Sequence, residues 1–136
     1  MMFRQFLLGK LHQCVVTRAD LDYVGSVSID TELLEASGIL PYEKILVVNL
    51  RNGARFESYA IEAPAGSGTI GMNGGAAHLA RPGDKCLIMA FAYLKDGEVA
   101  RPRTVVIGEG NRVEAVIEDE IPVPVASMEG VGLDMG

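Results

Sequence analysis

Apolar and polar residues alternate over short stretches of this chain, and helical spacing is rare. Lys10 to Thr17 (KLHQCVVT) reads as a strand with β-branched residues near its end. On strict alternation His12 and Cys14 share one face of it. Ala19 to Tyr23 reads as a turn, and Val24 to Ile29 as a second short strand. Asp30 and Thr31 then offer an N-cap, Leu33, Leu34 and Ala36 form a short apolar stripe, and Gly38 supplies a C-terminal stop. Together these predict a helix of about two turns.

Lys44 to Leu50 and Arg55 to Ile61 are β-prone runs separated by Asn52-Gly53, which predicts a hairpin with a type I′ turn. Alternation puts Arg55, Glu57 and Tyr59 on one face and Phe56, Ser58 and Ala60 on the other. Ala63 to Gly75, rich in glycine and small residues, reads as a loop, and Ala76 to Ala80 as one helical turn. Pro82-Gly83-Asp84 predicts a turn before Lys85 to Leu94, the most apolar run and a candidate central strand. Thr104 to Ile107 and Arg112 to Ile117 are further strands. Short strands with one or two short helices point to a closed, mainly β barrel. The expected organisation is a single β-barrel domain over residues 1–120, with 121–136 as a flexible, Pro- and Gly-containing tail.

Bulk properties narrow the function. The chain has 136 residues, 49% apolar and 22% charged, a globular rather than disordered profile with room for one ordinary core. The net charge of −6 disfavours a phosphate backbone as partner, so no nucleic-acid role is expected. Phe6-Leu7-Leu8 is too short for a signal-peptide core, and no apolar run is long enough to span a bilayer. With two cysteines that form no disulfide framework, the expectation is a cytoplasmic protein with no membrane partner.

Several short patterns are weak by themselves. Gly66, Gly68 and Gly71 satisfy GxGxxG, but no long helix and no acidic residue about twenty positions on follow them, so this reads as a glycine-rich loop. His12, Cys14, His78 and Cys86 lack metal-ligand spacing, and no metal is expected. No Gly-x-Ser-x-Gly elbow is present. Gly25-Ser26, Arg55 and Lys10 alone would suggest only a turn and a solvated rim.

In combination the patterns say more. Gly9-Lys10-Leu11-His12, Ala19-Asp20-Leu21-Asp22-Tyr23-Val24-Gly25-Ser26 with Ile29-Asp30, Asn52-Gly53-Ala54-Arg55-Phe56 with Tyr59-Ala60-Ile61, and Asn73-Gly74-Gly75-Ala76-Ala77-His78 with Pro82-Gly83-Asp84 follow one another in order. From about Phe3 to Leu94 this resembles the bacterial pyruvoyl-dependent aspartate 1-decarboxylases. Two departures stand out: Ser58 where the family commonly has Thr, and Gly75 where it has Ala, a change expected to loosen the loop.

The resemblance implies a double-ψ β-barrel, a homotetramer with active sites between subunits, and an inactive proenzyme. It implies self-cleavage between Gly25 and Ser26 into a 1–25 β-chain and a 26–136 α-chain, Ser26 becoming a pyruvoyl group that binds the substrate amine as a Schiff base. That group would be the sole cofactor, with neither a metal nor pyridoxal phosphate. The implied reaction turns L-aspartate into β-alanine and CO2 for pantothenate and coenzyme A synthesis. Residue by residue, the resemblance makes Tyr59 the proton donor and Ser58 the holder of the scissile carbonyl. Arg55 and Lys10 become the carboxylate-binding cations, and Asn73, Gly74, Gly75 and Ala76 the loop lining the substrate and the processed bond. Two alternatives stay open: a pyruvoyl decarboxylase for another amino acid such as glutamate, and an uncleaved, non-catalytic barrel that binds a ligand.

Overall fold

In the computed structural model, residues 1–118 are described. The strands are β1 (Phe3–Val15), β2 (Arg18–Asp20), β3 (Ser26–Asp30), β4 (Lys44–Asn49), β5 (Arg55–Ala63), β6 (Ile70–Asn73), β7 (Lys85–Lys95), β8 (Arg103–Ile107) and β9 (Val113–Ile117). One helix, α1 (Thr31–Ser37), follows β3, and a 3-10 turn, Gly74–His78, follows β6. The strands form one mixed sheet in the order β2-β6-β3-β5-β4-β7-β1-β8-β9. The mainly β, barrel-like fold expected from the sequence is what the chain forms. No described helix is long and apolar enough to cross a membrane. The expected tail, 121–136, lies outside the described residues.

The sheet wraps an aliphatic core. Leu11, Val27, Ile29, Ile45, Val47, Ala60, Ile70, Met72, Ile88, Ala90 and Val105 are all essentially inaccessible, and Leu33 and Leu34 of α1 pack into the same cluster. Each buried Val, Leu, Ile or Met side chain contributes about 1.5–3 kcal/mol of burial. The ends of the sheet are drawn together by polar clips. The Thr17 N–H and hydroxyl both donate to the Ile70 carbonyl, and the Asn111 side chain bonds both backbone groups of Val15 and the Gly68 carbonyl.

Helix α1 starts and stops where the capping residues dictate. Asp30 accepts the Glu32 N–H at 2.9 Å, and Gly38 (φ +80°) returns its N–H to the Leu34 carbonyl at 2.9 Å. The 3% exposed Asp30 carboxylate also accepts the N–H groups of Gly66 (3.0 Å) and Gly68 (2.8 Å). The GxGxxG stretch is therefore a glycine turn wrapped around the chain's own carboxylate.

Four expectations change. Ala19 to Tyr23 was expected to be a turn, but Ala19 and Asp20 belong to β2, paired with β6, and Ile70–Asn73, read as part of a loop, is that buried strand. Gly71 misled the reading, because it marks a close approach: a Cβ there would sit 3.1 Å from the Arg18 guanidinium. In β1 a bulge at His12–Gln13, with Gln13 at φ +65°, puts Leu11 and Cys14 both in the core, so His12 and Cys14 do not share a face. The β4–β5 hairpin exists, but its loop runs from Leu50 to Ala54 and only Gly53 has positive φ. The side chains of Asn49 and Asn52 accept the Arg51 and Ala54 N–H groups and replace the type I′ turn.

That loop is anchored through Asp84. Its carboxylate, 4% exposed, accepts from Arg51 Nε at 2.6 Å, Asn49 Nδ2 at 2.9 Å and the Arg81 N–H at 3.0 Å. The Arg51 hydrogen bond foremost, then those from Arg81 and Asn49, hold the Asp84 carboxyl well below the usual carboxylate range. A depressed folded pKa gives stability that is complete above the ordinary carboxylate pKa of about 3.9 and is lost as pH falls below it. Asp84→Asn is therefore expected to lower Tm at pH 7, with the gap to the parent narrowing steadily below about pH 4. Thermal melts from pH 7 to pH 3 check this; a gap that stays constant would place the effect in packing rather than charge.

Candidate active site

The two faces of β3 are chemically different. Val27 and Ile29 point into the core, while Ser26, Ser28 and Asp30 lie on the opposite face, all at most 4% exposed. β6 runs antiparallel beside it with Ser26 opposite Asn73 and Ser28 opposite Gly71. β2 adds Arg18 beside Gly71. With no side chain at Gly71, the Arg18 guanidinium reaches across and donates to Ser28 Oγ at 3.3 Å. The Asn73 amide donates to Ser28 Oγ at 2.9 Å and to Ser26 Oγ at 3.0 Å. Asn73 Oδ1 is buried and has no hydrogen-bond partner.

Ser26 is the first residue of β3, and the peptide before it leaves the sheet. Leu21, Tyr23 and Val24 are solvent-exposed, while Ser26 is buried, so the Gly25–Ser26 bond marks the entry of the chain into the barrel. The Ser26 hydroxyl lies 3.4 Å from the Val24 carbonyl. Gly74, with φ +62°, packs against the backbone just before this bond. A Cβ on Gly74 would lie 2.7 Å from the Tyr23 carbonyl oxygen and 2.8 Å from the Gly25 N and Cα. At Gly75 a Cβ would meet nothing within 4 Å. Gly75 is therefore not a steric necessity.

On its other side β3 pairs in parallel with β5, beginning at Val27 opposite Ala60. One residue earlier on each strand stand Ser26 and Tyr59. Beyond that point β5 continues without β3 beside it, which leaves a cleft of about 380 Å³ lined by Gly25, Phe56, Glu57, Ser58, Tyr59, Asn73, Gly75, Ala76 and Leu79. The carbonyl of Leu79 is held by the side-chain amides of Asn49 and Asn52, so the loop after β4 fixes this wall. The expected division of faces on β5 holds, with Phe56, Ser58 and Ala60 more buried than Arg55 and Glu57.

The structure thus brings Gly25, Ser26, Ser58, Tyr59, Asn73, Gly74, Gly75 and Ala76 together. Among the described residues Ser58 makes no hydrogen bond to the Gly25 carbonyl. Two expected residues lie elsewhere. Arg55 begins β5 and is exposed, outside the cleft lining. Lys10 sits in β1, in register with Met89 of β7, which pairs with Leu46 of β4, which pairs with Glu57 of β5. Three strand spacings, roughly 14 Å along the sheet, separate it from β5. Among the described residues the only charged one in the lining is Glu57, which pairs with Lys44 at 3.1 Å.

Sequence reasoning missed Arg18, Ser28 and Leu79. Only the strand register reveals them, and Gly71 was the one available signal. Cys14 and Cys86 face each other across β1 and β7 in the core, the Cys14 thiol donating to the Cys86 carbonyl at 3.4 Å. Burial pushes the Cys86 thiol up to about 12 and that of Cys14 higher still, so both are inert core residues at neutral pH.

Comparison with known proteins places this geometry. Residues 2–114 match the family model described as aspartate decarboxylase. The chain is 49% identical over 122 residues to aspartate 1-decarboxylase of Carboxydothermus hydrogenoformans, covering 88% of this chain and 96% of that protein. It is 49% identical over 120 residues to the aspartate 1-decarboxylase of Acaryochloris marina, covering 87% and 89%. It is 45% identical over 123 residues to that of Neisseria meningitidis, covering 89% and 97%. With a family model spanning most of its length and relatives at this identity, the chain belongs to the aspartate decarboxylase family.

Proposed function

We propose that this chain cuts itself between Gly25 and Ser26 and then decarboxylates L-aspartate to β-alanine and CO2, in support of pantothenate synthesis. One observation carries the reading. Ser26 Oγ is fixed by the Asn73 amide at 3.0 Å, and the cleft that exposes Gly25 is also the one lined by Tyr59.

The self-processing chemistry balances with this chain and water as the reactants. Ser26 Oγ attacks the Gly25 carbonyl carbon, the C–N bond breaks, and the freed Ser26 amine takes the proton, giving an ester. Loss of the Cα proton and the Gly25 carboxylate leaves dehydroalanine, and water then displaces ammonia to give a pyruvoyl group. Gly25 has no side chain to hinder the attack, and Asn73 holds the nucleophile by its lone pair. The buried Asn73 amide, whose Nδ2 donates toward the residue 26 side chain, offers a donor that fits the acceptor oxygens of an α-keto acyl group there. That group supplies an electron sink as CO2 leaves the substrate.

The remaining work falls to side chains. Tyr59, one residue before the β3–β5 ladder, delivers the proton from its hydroxyl to the substrate α-carbon. Ser58 lines the same cleft as Gly25, in keeping with a role in holding its carbonyl. Arg55 and Lys10 bind the substrate carboxylates. Among the described residues of one chain the cleft has only an acidic lining charge, while aspartate brings two carboxylates. This supports a site completed by cations from a neighbouring copy, and with it the homotetramer. We further infer a single domain over residues 1–120 and a cytoplasmic protein.

Processing and turnover separate by variant. Gly74→Ala is expected to stay uncut or cleave far more slowly, since its Cβ collides with Tyr23 and Gly25 and its φ is left-handed. Gly75→Ala should process normally, as its Cβ meets open space. Denaturing gels of aged protein read both; normal cleavage of Gly74→Ala would remove Gly74 from the processing site.

Turnover is followed as β-alanine formed from L-aspartate, with L-glutamate and L-alanine as competing substrates. Tyr59→Phe should process yet lose about 10²–10⁴-fold in kcat. Arg55→Lys should process yet lose roughly ten- to a hundredfold in kcat/KM, because an ammonium keeps the charge but not the bidentate fork. A parent enzyme that prefers glutamate, or that is inert on all three, would defeat the proposed reaction.

A further inference from the structure

The Tyr59 side chain has no hydrogen bond among the described residues. Its one directional contact is a ring: Tyr42, with centroids 6.4 Å apart and planes inclined by 24°. Tyr42 precedes β4 and is itself 79% exposed, so the stack is not core packing. Its backbone is also unusual. Tyr42 has φ +70°, one of three non-glycine residues among those described with positive φ, and a bulky ring makes this conformation costly.

The strain is held from both sides. The Tyr42 N–H donates to the Ala60 carbonyl at 2.7 Å, and the Ala60 N–H donates to the Glu43 carbonyl at 3.0 Å. Glu43 further locks the turn, donating its N–H to the Leu40 carbonyl at 3.1 Å and accepting the Leu40 N–H on its side chain at 3.0 Å. Both peptide groups of Ala60, the residue after Tyr59, are thus spent on fixing residues 42 and 43. Glycine or asparagine would suit the left-handed backbone better. A tyrosine kept there despite the strain is explained by what its ring does.

We propose that Tyr42 is a positioning residue for turnover: its ring, carried on a strained turn pinned to Ala60, stacks on Tyr59 and sets the direction of the Tyr59 hydroxyl. The proposal rests on the assignment of Tyr59 as proton donor above. Proton delivery to carbon needs a fixed distance and angle, and a tyrosine ring with no hydrogen bond must get its orientation from packing. Self-cleavage uses Ser26, Asn73 and Gly74 and is independent of the stack.

Strain makes the test discriminating, because stability and activity should move in opposite directions. Tyr42→Gly relieves the left-handed backbone and removes the ring. It should fold, cleave fully and melt no lower than the parent, yet lose roughly ten- to a hundredfold in kcat with KM little changed. Tyr42→Phe keeps the ring and should recover most of that loss. In a Tyr59→Phe background, Tyr42→Gly should cause little further loss, since the group it orients is gone. Wild-type kcat in processed Tyr42→Gly, or an undiminished loss in the Tyr59→Phe background, overturns the proposal. Tyr42→Asn, which also tolerates the backbone, replaces the glycine variant if that one fails to cleave; failure of both assigns Tyr42 to folding and likewise overturns it. Full activity of Tyr59→Phe itself would instead defeat the Tyr59 assignment on which the inference stands.

Discussion

Backbone passes over backbone where Gly74 meets Gly25, and the approach is possible only because Gly74 lacks a Cβ and accepts a left-handed φ of +62°. That contact fixes the strand end before it. Asn73, directly opposite Ser26 in the β3–β6 ladder, then has its amide within 3.0 Å of the Ser26 hydroxyl. A bulkier residue at position 74 would lift the turn off the 23–25 segment and loosen both the peptide bond and the amide that faces it. The rest of the site is arranged around this crossing, with β5 on one flank and the Arg18–Ser28 pair on the other.

The barrel supplies the surroundings by register alone. β3 sits between an antiparallel neighbour that contributes Asn73 and a parallel neighbour that contributes Tyr59. Its apolar face holds Val27 and Ile29 in the core, so a one-residue slip would exchange those side chains with Ser26 and Ser28. The hydrophobic pattern of β3 thus also determines where the hydroxyls point. Asp30 extends the same logic at the strand's far end, where one carboxylate caps α1 and gathers the glycine turn at Gly66 and Gly68.

Much of this was legible in the chain. Both caps of α1, the β4–β5 hairpin and the central apolar strand follow from local pattern, because they depend on neighbours within a few residues. The resemblance in the motifs gathered most of the site residues that the cleft brings together. What failed was set by distant contacts. Ile70–Asn73 looked like loop because glycine weakens a strand pattern, yet Gly71 is there to admit the Arg18 guanidinium. The bulge at His12–Gln13 breaks an alternation that sequence cannot see past. The turn type is the local exception: Asn49 and Asn52 close their loop by accepting N–H groups two residues on with their side chains, rather than with the turn that Asn-Gly favours. Nothing local in Tyr42 hints that it stacks on Tyr59. Lys10 and Arg55 were read as partners of the cleft, and one chain leaves both outside its lining.

The central claim is that the Gly25–Ser26 bond is built to be cut by the chain itself. Intact-mass measurement of the purified, denatured full-length protein tests it most directly. The account predicts two polypeptides, residues 1–25 ending in a free carboxylate and residues 26–136 beginning with a pyruvoyl group in place of the serine amine. A single uncut chain that nonetheless decarboxylates aspartate, or a second fragment that still begins with an intact serine amine, would contradict it.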